Sequence, residues 1–408
     1  MDTLKFVIVG HIDHGKSTLI GRLLYDTDSL PPDKIDEIRN TAQGLGRETE
    51  FAHLLDHLEE ERQQGITIET TQVFFKTDVR EYVIIDAPGH VEFVKNMITG
   101  ASHAEAAVLI IDAKEGIKEQ TKRHTYILSL LGIKQVIVVI NKMDLVGYSE
   151  EIYNSLKKDI GHFLENVNLK ALWFIPLSAL EGENIVKEAE NMSWYDGPPF
   201  LGILDLLKSE ESSFNKSLLF PVQDVYKVDS KRITVGRLEA GIIKKGEAIK
   251  IMPHGEETKV KTIERFPHQV DKVCAGESIG ITTQDSVFLN RGDMVCKSGE
   301  EPHFTDSFYA HIFWLSKKAF HKGERLTFKC STQETICTIE EINRRIDSSN
   351  LGVIEEEGET LENLDVGEVY IKTKKPVAIK TFDDVQELGR FVLVRDENTC
   401  AGGIVTAL

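Results

Sequence analysis

The chain opens with an apolar run, "LKFVIV", that stops at a glycine and continues as "GHIDHGKST", residues 10–18. The stretch fits G-x-x-x-x-G-K-[ST], with Gly10, Gly15, Lys16 and Ser17 in the defining positions. Its place gives the pattern force. A strand-like run precedes it and "KSTLIGRLLYD", with helical spacing, follows it. Gly15 lets backbone pass close to phosphate oxygens, and the start of the next helix offers unpaired N–H groups and a positive dipole end. Lys16 supplies a point charge for β- and γ-phosphates, and Ser17 offers a hydroxyl to Mg²⁺. His11, Asp13, His14 and Thr18 complete the expected cradle. His11 and His14 also raise a metal reading. It loses, because a zinc site needs three or four ligands and no cysteine lies in this half of the chain. His53 and His57 lie four apart on one predicted helix face, but the Glu of HExxH is missing, so a surface or packing role is expected.

Up to about residue 209, apolar runs alternate with helical stretches: "EYVIIDAPGH" before "EFVKNMITGA", "EAAVLIIDA" before "KEQTKRHTYILSLLG", and "KQVIVVINKMD" before "SEEIYNSLKKDIGHFLENV". "LWFIPLSAL" closes the series. Near-continuous apolar strands followed by helices predict an α/β domain with a mostly parallel sheet covered on both faces. "DLLKSEESSFNKS", residues 205–217, is polar and Ser-rich and reads as a linker. Beyond it come short β-type runs broken by glycine turns, such as "TVGRLEAGIIKKGEAIKIMP" and "ESIGITTQDS", and then a second all-β block. Two antiparallel β-barrels are the economical reading, giving domains at 1–209, 218–302 and 303–408. The acidic run Glu355-Glu356-Glu357 is expected to be a solvated loop.

Composition narrows the class. With 408 residues, 41 % hydrophobic and 28 % charged, the chain is long enough for two or three globular domains. No apolar run reaches membrane-spanning length, so no membrane partner is expected. The start "MDTLKFVIVG" lacks a basic lead and a small-residue cleavage site, so no signal peptide is expected. Five cysteines without a CxxC pair are expected to be reduced thiols in a cytoplasmic protein. A formal net charge of -18 argues against a nucleic-acid partner.

Three further stretches turn a phosphate cradle into a site for one base. "DAPG", residues 86–89, ends a strand; there Asp86 can hold Mg²⁺ through water, and the Gly89 N–H can meet the γ-phosphate. In "NKMD", residues 141–144, Asp144 can accept two hydrogen bonds from the guanine edge. The Lys142 stem can cover the ring, and Asn141 can tie this loop to the cradle. "SAL" (Ser178, Ala179 and Leu180) can bring a backbone N–H to the guanine oxygen. All three fall at the C-terminal ends of predicted strands, where open α/β sheets bind their ligands.

Taken in order, "GHIDHGKST", "ERQQGITIE", "DAPGH", "NKMD" and "SAL" resemble the translation-factor class of GTPases, whose members carry a G domain followed by two β-barrels. The resemblance implies GTP and GDP as ligands, with Mg²⁺ held by Ser17, Thr67 and Asp86. It implies a catalytic set of His90, which orients the attacking water, with Thr67 and Lys16; Ile12 and Ile66 form a gate beside it. Such a set suits phosphoryl transfer, which depends on positioning and charge neutralisation. Within the class, "STLIGRLLYDTDSLPPDKIDEI", "FIPLSALEGENIV", "AHIFWLSKKAFHKGERLTFKC" and "INRRIDSSNL" look like the GTPase subunit of bacterial sulfate adenylyltransferase. That likeness implies a separate catalytic subunit as partner, in a heterodimer or larger assembly, and GTP hydrolysis coupled to formation of adenosine phosphosulfate from ATP and sulfate. "FAHLLDHLEEERQQGITIE" and "DAPGHVEFVKNMITG" are more similar to elongation factor 1-alpha, which implies aminoacyl-tRNA and the ribosome instead. A tRNA carrier needs a basic track, and the β-blocks show only short pairs such as Lys244-Lys245, Lys317-Lys318 and Lys374-Lys375.

Overall fold

The computed structural model describes residues 3–30, 71–86, 104–208, 216–228, 231–265 and 268–408. The chain divides into two compact units, residues 1–209 with 348–350 and residues 210–347 with 351–408.

In the first unit the described strands form one six-stranded sheet: β1 (Thr3–Gly10), β2 (Thr71–Lys76), β3 (Glu81–Asp86), β4 (Ala106–Asp112), β5 (Gln135–Asn141) and β6 (Ala171–Pro176). Their order is β2-β3-β1-β4-β5-β6, parallel except for β2, which runs antiparallel to β3. From β1 the chain builds outward to both sides, so the crevice at its C-terminal end lies at the switch in strand order. The register brings Gly10 level with Ile110, Ile8 with Asp86 and Asp112 with Asn141. Three motif-bearing strands therefore end at one edge.

Both faces of this sheet are covered. Phe6, Ile8, Val108, Ile110, Ile137 and Val139 share one face, packed by Leu19, Ile20 and Leu23 of helix α1 (Lys16–Asp26). Helix α2 (Glu119–Leu130) lies against β1 and β4, burying Ile127 and Leu128. Complete burial of all seven β4 residues explains why that strand reads as an unbroken apolar run rather than an alternating one. Helix α3 (Glu150–Asn166) covers β6. It starts at Ser149, whose hydroxyl accepts from the Ile152 N–H, and Glu150 and Glu151 face the positive dipole end.

The predicted linker begins later than its composition suggests. Helix α4 (Phe200–Leu206) runs into it, and Leu204 and Leu207 are buried. Tyr82 Oη donates to Asp205, and Arg80 Nη1 donates to the Leu207 carbonyl at 2.7 Å. The Gln135 amide pairs with both the carbonyl and the N–H of Lys208, at 2.6 and 2.9 Å. The Asp205 side chain and the Lys208 backbone are thus satisfied by the domain itself, which composition does not distinguish from solvation. Residues 209–215 lie outside the described residues.

The second unit contains two closed six-stranded antiparallel barrels. The first runs 248–252, 294–296, 220–228, 231–237, 278–283 and 256–265, and 256–265 pairs back onto 248–252. Its interior is Phe220, Val222, Ile249, Ile251, Val260, Ile281 and Val295. The second runs 325–330, 390–395, 398–407, 303–314, 365–379 and 333–347, closing between 333–347 and 325–330. Closure leaves no ring strand with an unpaired edge. Leu219, Ala240 and Met294 of the first barrel join Ala378, Val385 and Leu388 of the second in a shared apolar cluster. The acidic run is not a loop. Glu355 to Glu357 belong to the strand Val353–Gly358, appended to the second barrel, with Glu355 and Glu356 opposite Arg345 and Arg344. The glutamate side chains stay exposed, while Arg344 and Arg345 pair with Glu368 and Asp365 of the neighbouring strand. The five cysteines form no disulfide. Burial pushes the thiols of Cys296, Cys330 and Cys337 up to about 12, which leaves them poor nucleophiles.

The second barrel is centred on aromatic rings. Phe328 lies 5.5 Å from Phe308 and 5.0 Å from Phe391, ring centre to ring centre, and all three are buried. Phe328→Ala is expected to destabilise this barrel by about 3–5 kcal/mol through lost contact and an unfilled cavity. Native-state hydrogen exchange should show faster exchange along 325–330 and 390–395, with the β4 amides unaffected.

Candidate nucleotide site

The edge where β1, β3 and β5 end carries the cradle. Asp13 and Gly15 both adopt left-handed backbone, with φ of 62° and 89°. At Gly15 a side chain is excluded twice over: the φ is unfavourable, and a Cβ would come within 2.4 Å of Asn141 Nδ2. The loop then enters α1 at Lys16, with Leu19 N–H donating back to the Gly15 carbonyl at 2.9 Å. Ser17 and Thr18 follow in the first turn, and Ile12 is half-buried in the loop.

Lys16 is buried, and its Nζ donates to the Gly10 and His11 carbonyls at 3.1 and 3.0 Å. Burial lowers its pKa to about 8, while Asp86 and Asp13 pull the other way. The ammonium therefore stays charged at neutral pH in a place where little water competes for it. Asp86 is buried at the end of β3.

Asn141 joins three motifs. Its Nδ2 donates to the His14 carbonyl in the cradle and its Oδ1 accepts from the Ala179 N–H, both at 2.9 Å. Next to it, Lys142 is held at φ 61° with its Nζ 3.3 Å from Asp112 Oδ2. Asp112 also accepts from the N–H groups of Lys114 and Glu115. Sequence reasoning missed Asp112; its signal was an acid ending the fully apolar "AAVLIID". Asp144 Oδ1 accepts from Ser178 Oγ at 2.6 Å. Its other carboxylate oxygen and the Leu180 N–H have no partner among the described residues. The structure thus gathers Gly10, His11, Asp13, His14, Gly15, Lys16, Ser17 and Thr18 on one side, and Asn141, Lys142, Asp144, Ser178, Ala179 and Leu180 on the other. Ile66, Thr67, Gly89 and His90 lie outside the described residues.

Histidines back the cradle. His14 and His124 are buried, and the His11 and His14 rings meet edge to face at 5.2 Å. His14 Nδ1 lies 3.3 Å from the Ile110 carbonyl. Among the described residues no group of three His, Cys, Asp or Glu side chains is arranged to hold a metal. Burial pushes His14 down to about 4 and His124 to about 3, with Lys16 and His11 pushing the same way. Both rings are therefore neutral in the folded protein at pH values where they would be charged in the unfolded chain.

The second unit corrects the reading that its basic residues occur only as short pairs. Strand register places Arg325 beside Thr338 and Thr338 beside Lys372, with Lys374 in the same groove of about 450 Å³. Three cations from two strands converge on one outer face; residues 47 apart in sequence cannot reveal this without the pairing.

The histidines give a pH prediction. Between about pH 6.5 and their depressed folded values the unfolded state binds more protons than the folded state, so stability is full above 6.5 and falls on acidification. His124→Gln should show a shallower fall in thermal midpoint from pH 7 to pH 5 than the unaltered chain. An equal fall in both removes His124 from the acid response.

The chain matches three family patterns: "Elongation factor Tu GTP binding domain" over residues 1–220, "Elongation factor Tu domain 2" over 231–296 and "GTP-eEF1A C-terminal domain-like" over 307–406. It is 37 % identical over 408 residues to elongation factor 1-alpha of Methanoculleus marisnigri, covering 98 % of this chain and 96 % of that one. To elongation factor 1-alpha of Methanocaldococcus jannaschii it is 38 % identical over 412 residues, with the same coverage. To sulfate adenylyltransferase subunit 1 of Alteromonas mediterranea it is 36 % identical over 399 residues, covering 96 % of this chain and 84 % of the relative. With likeness running through the cradle domain and both barrels, the chain belongs to the elongation factor Tu and elongation factor 1-alpha family of GTPases.

Proposed function

We propose that this chain binds GTP at the β1 edge, hydrolyses it, and uses the change of state to drive a partner enzyme, the catalytic subunit of a sulfate adenylyltransferase. The observation that carries the guanine reading is the joining of cradle and base loop by Asn141, with Asp144 held by Ser178 and one carboxylate oxygen left over. Lys16, the loop N–H groups and the α1 N-terminus suit the phosphates. Asp144 suits the two donors of the guanine edge. The Leu180 N–H suits the guanine oxygen, because that of Ala179 is already engaged by Asn141.

Ser17, Asp86 and Thr67 are the residues that would hold Mg²⁺, which supplies charge neutralisation at the β- and γ-phosphates. His90 is assigned the water-orienting role through the resemblance. Adenosine phosphosulfate forms unfavourably from ATP and sulfate, so a coupled GTPase has work to do in that reaction. The barrels would then differ in their affinity for the partner between GTP and GDP states, since an equilibrium moves only through differential binding. The sequence stretches shared with the sulfate adenylyltransferase GTPase subunit and the relative in Alteromonas mediterranea support this partner. The net charge of -18 points the same way.

A second reading, a carrier of aminoacyl-tRNA, is favoured by the cations Arg325, Lys372 and Lys374 on one face of the second barrel and by the elongation factor 1-alpha relatives. One experiment separates the two. The chain is combined with a candidate adenylyltransferase subunit of the same host, ATP, sulfate and Mg²⁺, with and without GTP. GTP-dependent accumulation of adenosine phosphosulfate is the expected result. No stimulation, together with GTP-dependent protection of aminoacyl-tRNA from hydrolysis, rejects the sulfate reading in favour of the carrier.

Base recognition has its own test. Asp144→Asn should move preference from guanine to xanthine nucleotides, because an amide presents one donor and one acceptor where the carboxylate presents two acceptors. Sites built on such polar pairing discriminate by roughly 10⁴. Unchanged affinities for both GTP and XTP would show that Asp144 does not read the base.

A further inference from the structure

Helix α1 carries a second polar link, six residues beyond the cradle lysine. Arg22 Nε donates to both carboxylate oxygens of Asp26, at 2.9 and 3.0 Å, and Nη1 donates to the Leu180 carbonyl at 3.1 Å. Both charged side chains are largely covered, with 21 % and 17 % of their surface exposed. Leu180 ends the "SAL" stretch. Behind it the loop is closed on Ser178, whose carbonyl accepts from Gly182 and Glu183 and whose hydroxyl accepts from Glu181. Gly182, at φ 81°, lies directly against the guanidinium, and a Cβ there would come within 2.0 Å of Arg22 Nη2. A side chain at 182 would displace the guanidinium from its present place, and it would be strained at this φ besides.

Resting on the guanine reading above, we infer that Arg22 is a positioning residue for base recognition. It holds the Leu180 carbonyl to α1, and with the Ala179 N–H tied to Asn141 on the other side it limits how the intervening Leu180 N–H, the one assigned to the guanine oxygen, can turn. A planar fork is required, because one group must serve a carboxylate along its own helix and a carbonyl across the site at the same time. The arrangement also makes α1 a strut between the two ends of the nucleotide. Lys16 at its start serves the phosphates, and Arg22 serves the loop that reads the base. Asp26 has a defined part in it: it orients the guanidinium without touching the loop.

The test uses the full chain, GDP, and the diphosphate of 2-aminopurine riboside, which lacks the guanine oxygen. Arg22→Ala is expected to weaken GDP about tenfold, the effect of losing one charge-assisted hydrogen bond. The analogue should be held as before, within about twofold. Arg22→Lys should not restore GDP binding, because an ammonium cannot span both partners. Gly182→Ala, which expels the guanidinium from the other side, should weaken GDP to a similar degree. The double substitution should then add less than the sum of the two, since both lose the Arg22–Leu180 contact. Equal losses for both nucleotides, or unchanged GDP affinity in Arg22→Ala, overturn the positioning role. A different outcome bears on the underlying reading: if the unaltered chain shows no preference for GDP over ADP, the guanine assignment falls, whatever Arg22 does.

Discussion

One side-chain amide holds the candidate site together. Asn141 is buried, and its two hydrogen bonds run in opposite directions, one into the cradle and one into the "SAL" loop. Each bond satisfies a backbone group that water does not reach, so its loss would leave buried groups unpaired at a cost of about 1–3 kcal/mol each. No other residue type presents one donor and one acceptor at this length and shape without a charge. The backbone conforms to the same demand. Gly15 has no side chain where the amide passes, and Lys142 is held in left-handed backbone immediately after it.

Around this strut the electrostatics are sorted by burial. Lys16 keeps its proton because Asp86 and Asp13 offset part of the desolvation. His14 and His124, buried as deeply, give theirs up, because desolvation outweighs the pull of Asp112 on His14 and Lys16 and His11 add to it. The cradle therefore presents one concentrated positive charge rather than several competing ones. A protonated histidine behind the loop would be repelled by Lys16. The neutral His14 ring packs edge to face against the half-buried His11 ring beside the loop. Lys142 is handled differently: its ammonium is paired with Asp112.

The α/β plan and the gathering of the described motifs at one sheet edge were legible in the sequence because each motif corresponds to a local backbone requirement. A glycine between strand and helix, an acid at a strand end and an Asn-Lys-x-Asp turn are all short-range signals. The barrels were legible as a class through alternation, as in 325–330, where Leu326, Phe328 and Cys330 point inward. What escaped was set by pairing at a distance. Arg22 and Gly182 are individually unremarkable residues 160 positions apart, and only the fold shows that one occupies the space the other leaves. The acidic run at 355–357 read as a solvated loop because its strand character comes from backbone pairing with 342–346, while its side chains stay exposed. The polar head of the linker read as solvated because Tyr82 and Gln135, which satisfy it, lie far away in the chain.

The same distinction explains why the partner is harder to read than the nucleotide. A nucleotide site is built from backbone geometry at the end of a sheet, and few sequences produce it. A docking face on a barrel is built from alternate residues of several strands, and each strand needs only to keep its other face apolar. Thr338 can place Arg325 and Lys372 on its two sides while Leu326, Cys337 and Thr373 fill the barrel behind them. The inward set fixes the register, and the register decides which outward residues become neighbours. Outward residues can therefore change with little effect on the fold. Two members of one family can keep the same cradle, the same barrels and the same Asn141 strut, and still present different charges to different partners.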